Sequence, residues 1–337
     1  MQDQPNPYLQ TIFQKYGQRW DPSLLAQQQG ENSPAAFAVG IAQYATNIMQ
    51  GVTRSCPGFE VDVFFVENLS INAFAGKISD SREHYAVGVY SGTITKLFQA
   101  FTSAKYLATL KSNLTFLGTF ADFELQQLSL YFGSLFLIFH EFGHVIRGHI
   151  NYARSTTAMD GLWMEGNEDE SAASPEITRR RHLSECDADA FAGTLLAGEI
   201  SVHAGNLGRD LRIDTQVAWS DLIALEATAV HFLCCLFDDA RKNAHPFYPP
   251  PPIRSAIVQS HVVDQAGRDG QNAWSVLINL IPVLARVEAL RHELGLKQGA
   301  YDLKTAFETW RTQYLDQLKK FKATLGPYAP CQPVGKG

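Results

Sequence analysis

The segment Leu135–Ile150, LFLIFHEFGHVIRGHI, restricts what this chain can be more than any other stretch. Inside an apolar run it carries His140, Glu141 and His144 in an H-E-x-x-H pattern. On an α-helix, positions i and i+4 lie one above the other, so both imidazoles can reach one ion. Zinc accepts neutral imidazole and, in a catalytic site, takes three protein ligands and keeps one position open. Glu141 stands at the edge of the same face, where it can take a proton from a water. The spacing points to metal-assisted hydrolysis, most often of a peptide bond. Five residues alone are weak evidence, because the pattern arises by accident in roughly one or two of every hundred chains of this length. The reading depends on a third ligand elsewhere.

A chain of 337 residues is long enough to bury a sizeable core. With 45% apolar and 18% charged residues it has an ordinary globular composition. A formal charge of -6 gives no basic footprint for nucleic acid. Five cysteines, Cys56, Cys186, Cys234, Cys235 and Cys331, follow no zinc-ribbon spacing and suit a reduced, cytoplasmic setting. The start, MQDQPNPYLQ, has no apolar signal-peptide core. The apolar runs Ala227–Phe237 and Trp274–Ala285 are shorter than the ~20 residues of a membrane span, and are expected to be buried core helices.

In chain order, residues 1–34 are rich in Gln, Pro and Asn and read as an arm with little core of its own. Residues 35–325 read as one domain, and 326–337 as a disordered tail. After Ser33-Pro34, helical spacing continues to Gly51. Phe59–Gly76 reads as two short strands broken near Glu67-Asn68, and His84–Tyr90 as a third. Residues 104–139 read as mostly helical, with a break at Asn113–Gly118. An acidic, Gly/Ser-rich loop covers 155–173. Ser174-Pro175-Glu176 then starts a helix predicted to reach Gly198. Further helices are predicted near 215–240, 271–293 and 300–324. The expected fold is α+β, mostly helical, with a small sheet beside the H-E-x-x-H helix.

The third ligand is expected on the helix after the acidic loop. Glu185 and Asp189 are i and i+4 and share a face, while Asp187 is expected to point outward. The arrangement resembles the gluzincin metallopeptidases, which complete their zinc site with a carboxylate on a second helix, and that resemblance implies Glu185 as the ligand. Asp189, one turn on, could hydrogen-bond a ligand imidazole and fix its tautomer. His182 lies one turn before Glu185 on the same face, where it either supports the site as Asp189 does or simply borders the acidic loop. His149, five residues past His144, falls about 140° round a continuing helix and faces away unless the helix breaks at Gly148. His231, on an apolar face, reads as a hydrogen-bonded core histidine.

These motifs resemble the gluzincin zinc peptidases of the HtpX and CaaX-prenyl-protease type and their soluble relatives. Ile71-Asn72-Ala73-Phe74-Ala75 is similar to that family's N-A-F-A strand, and Glu185-x-x-Ala188-Asp189 to its E-x-x-A-D helix. His245-Pro246 and Arg254 resemble its His-Pro region at a stretched spacing. The family's membrane helices have no counterpart here. A soluble chain with this set also resembles the Lit-type phage-exclusion peptidases, which cleave a cytoplasmic translation factor.

The resemblance implies a zincin-like fold, one Zn2+ per chain and a protein or peptide substrate. Asn72, Ala73, Phe74 and Ala75 would form an edge strand that pairs with an extended substrate. His245 is the first choice for the oxyanion donor, with Tyr248 and Arg254 in reserve, and Arg254 is grouped with the substrate-binding residues. The competing expectation is a zincin fold used as a regulatory or binding module with little peptidase activity.

Overall fold

The computed structural model describes residues 7–330 apart from 31, 55, 57, 157–161, 165–173, 241–247, 271 and 297–302. In chain order its elements are α1 (Pro7–Tyr16), β1 (Arg19–Trp20), α2 (Pro22–Gln29), α3 (Pro34–Arg54), β2 (Phe59–Val66), β3 (Ala73–Lys77), β4 (Glu83–Tyr90), α4 (Ser91–Phe101), α5 (Ala104–Ser112), α6 (Asp122–Ile146), α7 (His149–Thr156), β5 (Leu162–Met164), α8 (Pro175–Leu211), α9 (Thr215–Ala240), α10 (Pro251–Arg268), α11 (Ala273–Glu293), α12 (Leu303–Thr309) and α13 (Leu315–Leu325). The fold is α+β, mostly helical with one small mixed sheet. The chain divides into two compact units, one of Met1–Lys96, Glu141–Ser171 and Phe321–Gly337, the other of Leu97–His140 and Ala172–Lys320.

The first unit holds the sheet, in the order β1-β2-β4-β3-β5. β2 runs parallel to β4, with Val66 opposite Tyr90, and β3 lies antiparallel to β4, with Ala73 opposite Val89. Helix α1 presents Ile12 and Tyr16 to a core made with Phe64, Val66, Phe74, Ile78, Ala86 and Tyr90. The Phe74 ring lies over Gly88, where an added Cβ would meet ring carbons at 2.2 Å, so β4 needs a residue without a side chain there. Helix α3 packs on β2 and buries Ala38, Ile41, Ala45 and Met49 at helical spacing.

Three expectations are corrected in this unit. Residues 7–29 are not a coreless arm, because α1 supplies two members of the sheet's core. The strand at Asn72–Ala75 is not a free edge. β5, from inside the acidic 155–173 segment, pairs with β3 antiparallel, with Phe74 opposite Met164 and Gly76 opposite Leu162. Residues 326–330 are ordered: the Tyr328 ring meets Tyr152 edge-on, and its carbonyl accepts from Asn151 Nδ2 at 3.1 Å. The rest of the expected tail, 331–337, lies outside the described residues.

In the second unit, α8 packs on α9 and α10, α11 on α9 and α5, and α12 on α10. The break between α5 and α6 falls where sequence predicts it. The buried Asp221 carboxylate of α9 accepts the backbone N–H groups of Thr115, Phe116 and Leu117, so the turn's donors are satisfied from a neighbouring helix. Helix α8 continues past Gly198 to Leu211, because Ile200 and Ala204 extend its buried face. That burial outweighs the ~1 kcal/mol that glycine costs a helix.

The two runs expected to be too short for a membrane are only part of the picture. α6 and α9 are both long and apolar enough to cross one by length and composition, and 89% of the tested window in each is buried inside the protein. The helix near 215–240 is α9 as expected, but sequence reading counted only Ala227–Phe237 of it as an apolar run. Asp221, Glu226 and His231 are instead fully enclosed and hydrogen-bonded. Cys186, Cys234 and Cys235 are buried and outside any disulfide, whereas Cys56 is disulfide-bonded, which departs from the expected uniformly reduced set.

Candidate metal centre

Helix α6 is buried almost all round from Phe132 to Val145, as an apolar run of this length requires. Its first turn carries Asp122 and Glu124, which suit the positive end of the helix, and Glu124 also accepts the Ala121 N–H at 2.9 Å. His140 and His144 fall one turn apart near its other end, and both are fully buried. Because α6 is continuous through both residues, the helix itself sets their spacing.

Helix α8 begins at the Ser174 cap, whose hydroxyl accepts the Ile177 N–H at 3.3 Å, with Pro175 in the first turn. By residue 183 it is enclosed on every side. Glu185 is 1% exposed and Asp189 is fully buried, which rules out a solvent-facing turn. Asp187 is also fully buried, against the expectation that it points outward, because α8 has no outward face at this point.

The two carboxylates of α8 each address one nitrogen of the same imidazole. Asp189 Oδ1 lies 2.8 Å from His140 Nδ1, and Glu185 Oε2 lies 3.1 Å from His140 Nε2. Arg254, from the first turn of α10, then grips Asp189 with two nitrogens: Nε donates to Oδ2 at 3.0 Å and Nη2 to Oδ1 at 2.8 Å. The guanidinium also stands over the Phe136 ring, at 5.7 Å from its centroid. This arrangement gives Arg254 a different place from the expected one. It is 3% exposed and paired with Asp189, so it orients the carboxylate behind His140.

The electrostatics follow from the contacts. Burial opposes a charge on His140, but the hydrogen bonds to Asp189 and Glu185 outweigh it and push its pKa up to about 10. Burial also works against ionised Asp189, and the Arg254 charge and His140 outweigh it, holding that carboxyl below its usual range. The carboxylates of Asp189 and Glu185 on either side of the His140 ring make this a place that favours positive charge. The Cys186 thiol is pushed up by burial and then by Asp189 and Glu185, so it stays protonated.

Beyond His144 the helix stops. Gly148 adopts φ +80°, a left-handed conformation that ends α6 and starts α7 at His149. The condition under which His149 would turn back is therefore met. His149 Nδ1 lies 2.9 Å from His144 Nδ1, and its ring stacks on Phe321. His149 acts on the far nitrogen of His144, as Asp189 acts on the far nitrogen of His140. Sequence reading turned it away from the site unless the helix broke at Gly148, and that glycine is the signal for its place.

Among the other expected site residues, His182 stacks on Tyr314 with ring centroids 5.0 Å apart. Tyr248 is buried, whereas His245 lies outside the described residues. Asn72 is buried, and its backbone exchanges hydrogen bonds with Thr93 Oγ1 at 2.7 and 2.8 Å. Ala73, Phe74 and Ala75 are fully buried inside the sheet. Taken as chemistry, two imidazoles and a carboxylate, His140, His144 and Glu185, form a buried group that could hold a metal ion. No family model, curated protein or solved structure matches this chain.

Proposed function

We propose that the chain is a zinc-dependent endopeptidase of the gluzincin type, with a zincin-like arrangement of its helices. One observation carries the reading: His140 has Glu185 at one ring nitrogen and Asp189 at the other, with His144 one turn further along the same helix. That is the donor set of a three-ligand site together with the oriented support that metal-binding histidines need. His140, His144 and Glu185 would hold the ion. Zinc, when bound, would polarise the scissile carbonyl and make a water acidic.

The chain's own residues do the rest. Glu141, buried and next to His140, takes the proton from the attacking water and delivers it to the leaving amine. With an ion bound, Asp189 would hold the proton on His140 Nδ1 so that Nε2 can give up its own and take the ion, and Arg254 keeps Asp189 ionised. His149 does the corresponding work on His144. A substrate strand would pair with β3, and since β5 occupies that side, substrate entry requires β5 to leave.

Two experiments test this. Metal analysis of the purified chain is expected to find zinc that His144→Ala loses. Comparison of new protein N-termini in cells expressing wild type or Glu141→Gln should show cleavages made by wild type alone, with the variant reduced by a factor on the order of 10² to 10⁴. Bound zinc with identical termini in both would reject the peptidase reading and leave the regulatory module.

A further inference from the structure

A second cluster in the helical unit repeats the plan of the first. His231 and Cys235 are i and i+4 on α9, fully buried, and Glu288 reaches them from α11. His231 Nε2 lies 2.7 Å from Glu288 Oε1, and Cys235 Sγ lies 3.9 Å from that nitrogen and 4.0 Å from that oxygen. The other ring nitrogen, Nδ1, is held by Ser255 Oγ at 2.5 Å. Each group therefore has a helical i,i+4 pair, a carboxylate from another helix, and an orienting partner on the histidine's Nδ1. Helix α10 serves both, through the adjacent residues Arg254 and Ser255.

We propose that His231, Cys235 and Glu288 form a second metal site, selective for a borderline-soft divalent ion such as zinc. Ligands at about 2.0–2.3 Å around a tetrahedral ion stand roughly 3.3–3.6 Å apart. The observed triangle comes within about half an ångström of that on each side. The thiolate supplies the soft donor, and imidazole and carboxylate suit the same ion. Ser255 fixes the tautomer by accepting Nδ1–H, which leaves Nε2 free for the ion.

The neighbouring charges point the same way. Arg291 is fully buried and donates Nη2 to Asp238 at 2.6 Å. Among the described residues its Nε and Nη1 have no hydrogen-bond partner, and Nη1 faces Glu288 Oε1 at 3.7 Å. Once Cys235 gives up its proton, its thiolate and the Glu288 carboxylate stand side by side, and a divalent cation between them meets both charges. The ion takes the place of the Cys235 proton, which passes to solvent, and no electrons are transferred.

Cobalt(II) binding to the full-length apo protein tests the site. The His140 group contains no thiol ligand, so a thiolate-to-cobalt charge-transfer band in the near ultraviolet reports the second group alone. The band is expected in wild type and in His144→Ala, which separates this proposal from the peptidase reading. It should vanish in Cys235→Ser, need at least about tenfold more cobalt in Glu288→Gln, and persist in Cys234→Ser and Cys186→Ser. Saturating cobalt with no such band in wild type overturns the site even if a variant fails to fold. A band that survives Cys235→Ser, or that depends on Cys186 or Cys234 instead, also overturns it.

Discussion

Glu226 of α9 is fully buried, and its only hydrogen-bond donor among the described residues is Gln259 Nε2, at 2.8 Å. Burial pushes its pKa up to about 8, and the bond from Gln259 offsets only part of that. The unfolded chain releases this proton near 4.5. The folded state therefore holds an extra proton between those two values. The stability this group contributes is complete below about pH 4.5 and is lost as the pH rises toward 8. Glu226→Gln keeps the neutral shape and removes the titration. Thermal unfolding of the variant is expected to lose the wild type's decline across that window and to gain several degrees at pH 8, from a few kcal/mol in a chain of this size. Equal slopes for the two proteins between pH 5 and 8 would show that Glu226 is ionised in the folded state. Sequence reading could not find this group, because an acid inside a helix looks solvated until the neighbours that enclose it are known.

At the scale of elements, β5 is the segment whose removal says most. Its three residues close the side of β3 that sequence reading left open. Adjacent residues of a strand point their N–H groups in opposite directions, so proline at both 162 and 163 must remove a bond to β3. Leu162→Pro with Trp163→Pro is expected to speed hydrogen exchange at alternate amides of Phe74–Lys77 by at least about tenfold. If the chain is a peptidase, cleavage of an extended peptide should also rise. Unchanged exchange at those amides would mean that β5 does not protect the strand. The elements legible from sequence were those with strong local signals: the Ser174-Pro175 start of α8, the β-branched and aromatic residues of β2 and β4, and the apolar run of α6. The i,i+4 spacing likewise announced His140 with His144 and Glu185 with Asp189. What stayed hidden depends on partners far along the chain. β5 becomes a strand only because β3 offers it a ladder, and Arg254 becomes an orienting residue only because Asp189 lies opposite it.

For the whole molecule, the two units are threaded through one another in sequence: the chain leaves the sheet unit after Lys96, returns at Glu141, leaves again after Ser171 and returns at Phe321. No contiguous fragment contains the sheet unit. Its last piece is also well anchored. Phe321 stacks on His149 and meets Tyr152 edge-on, and Tyr328 accepts from Asn151. The Tyr328 backbone comes so close to Gly148 that a Cβ there would sit 2.5 Å from its carbonyl carbon. Ending the chain at Lys320 strips these contacts from the turn that aims His149 at His144. Burial of Phe321 and Leu325 alone is worth about 2–3 kcal/mol each, a large share of an ordinary domain's stability. The truncated chain is expected to be cut by protease within residues 59–96 or 141–156, in the sheet unit, under conditions where the full chain resists, while a fragment containing α8 to α11 remains protected. If the proposed sites are right, it should also lose zinc held through His144 and keep the thiolate-to-cobalt band of Cys235. Unchanged protease resistance across 59–96 and 141–156 would show that the last segment is dispensable to the sheet unit.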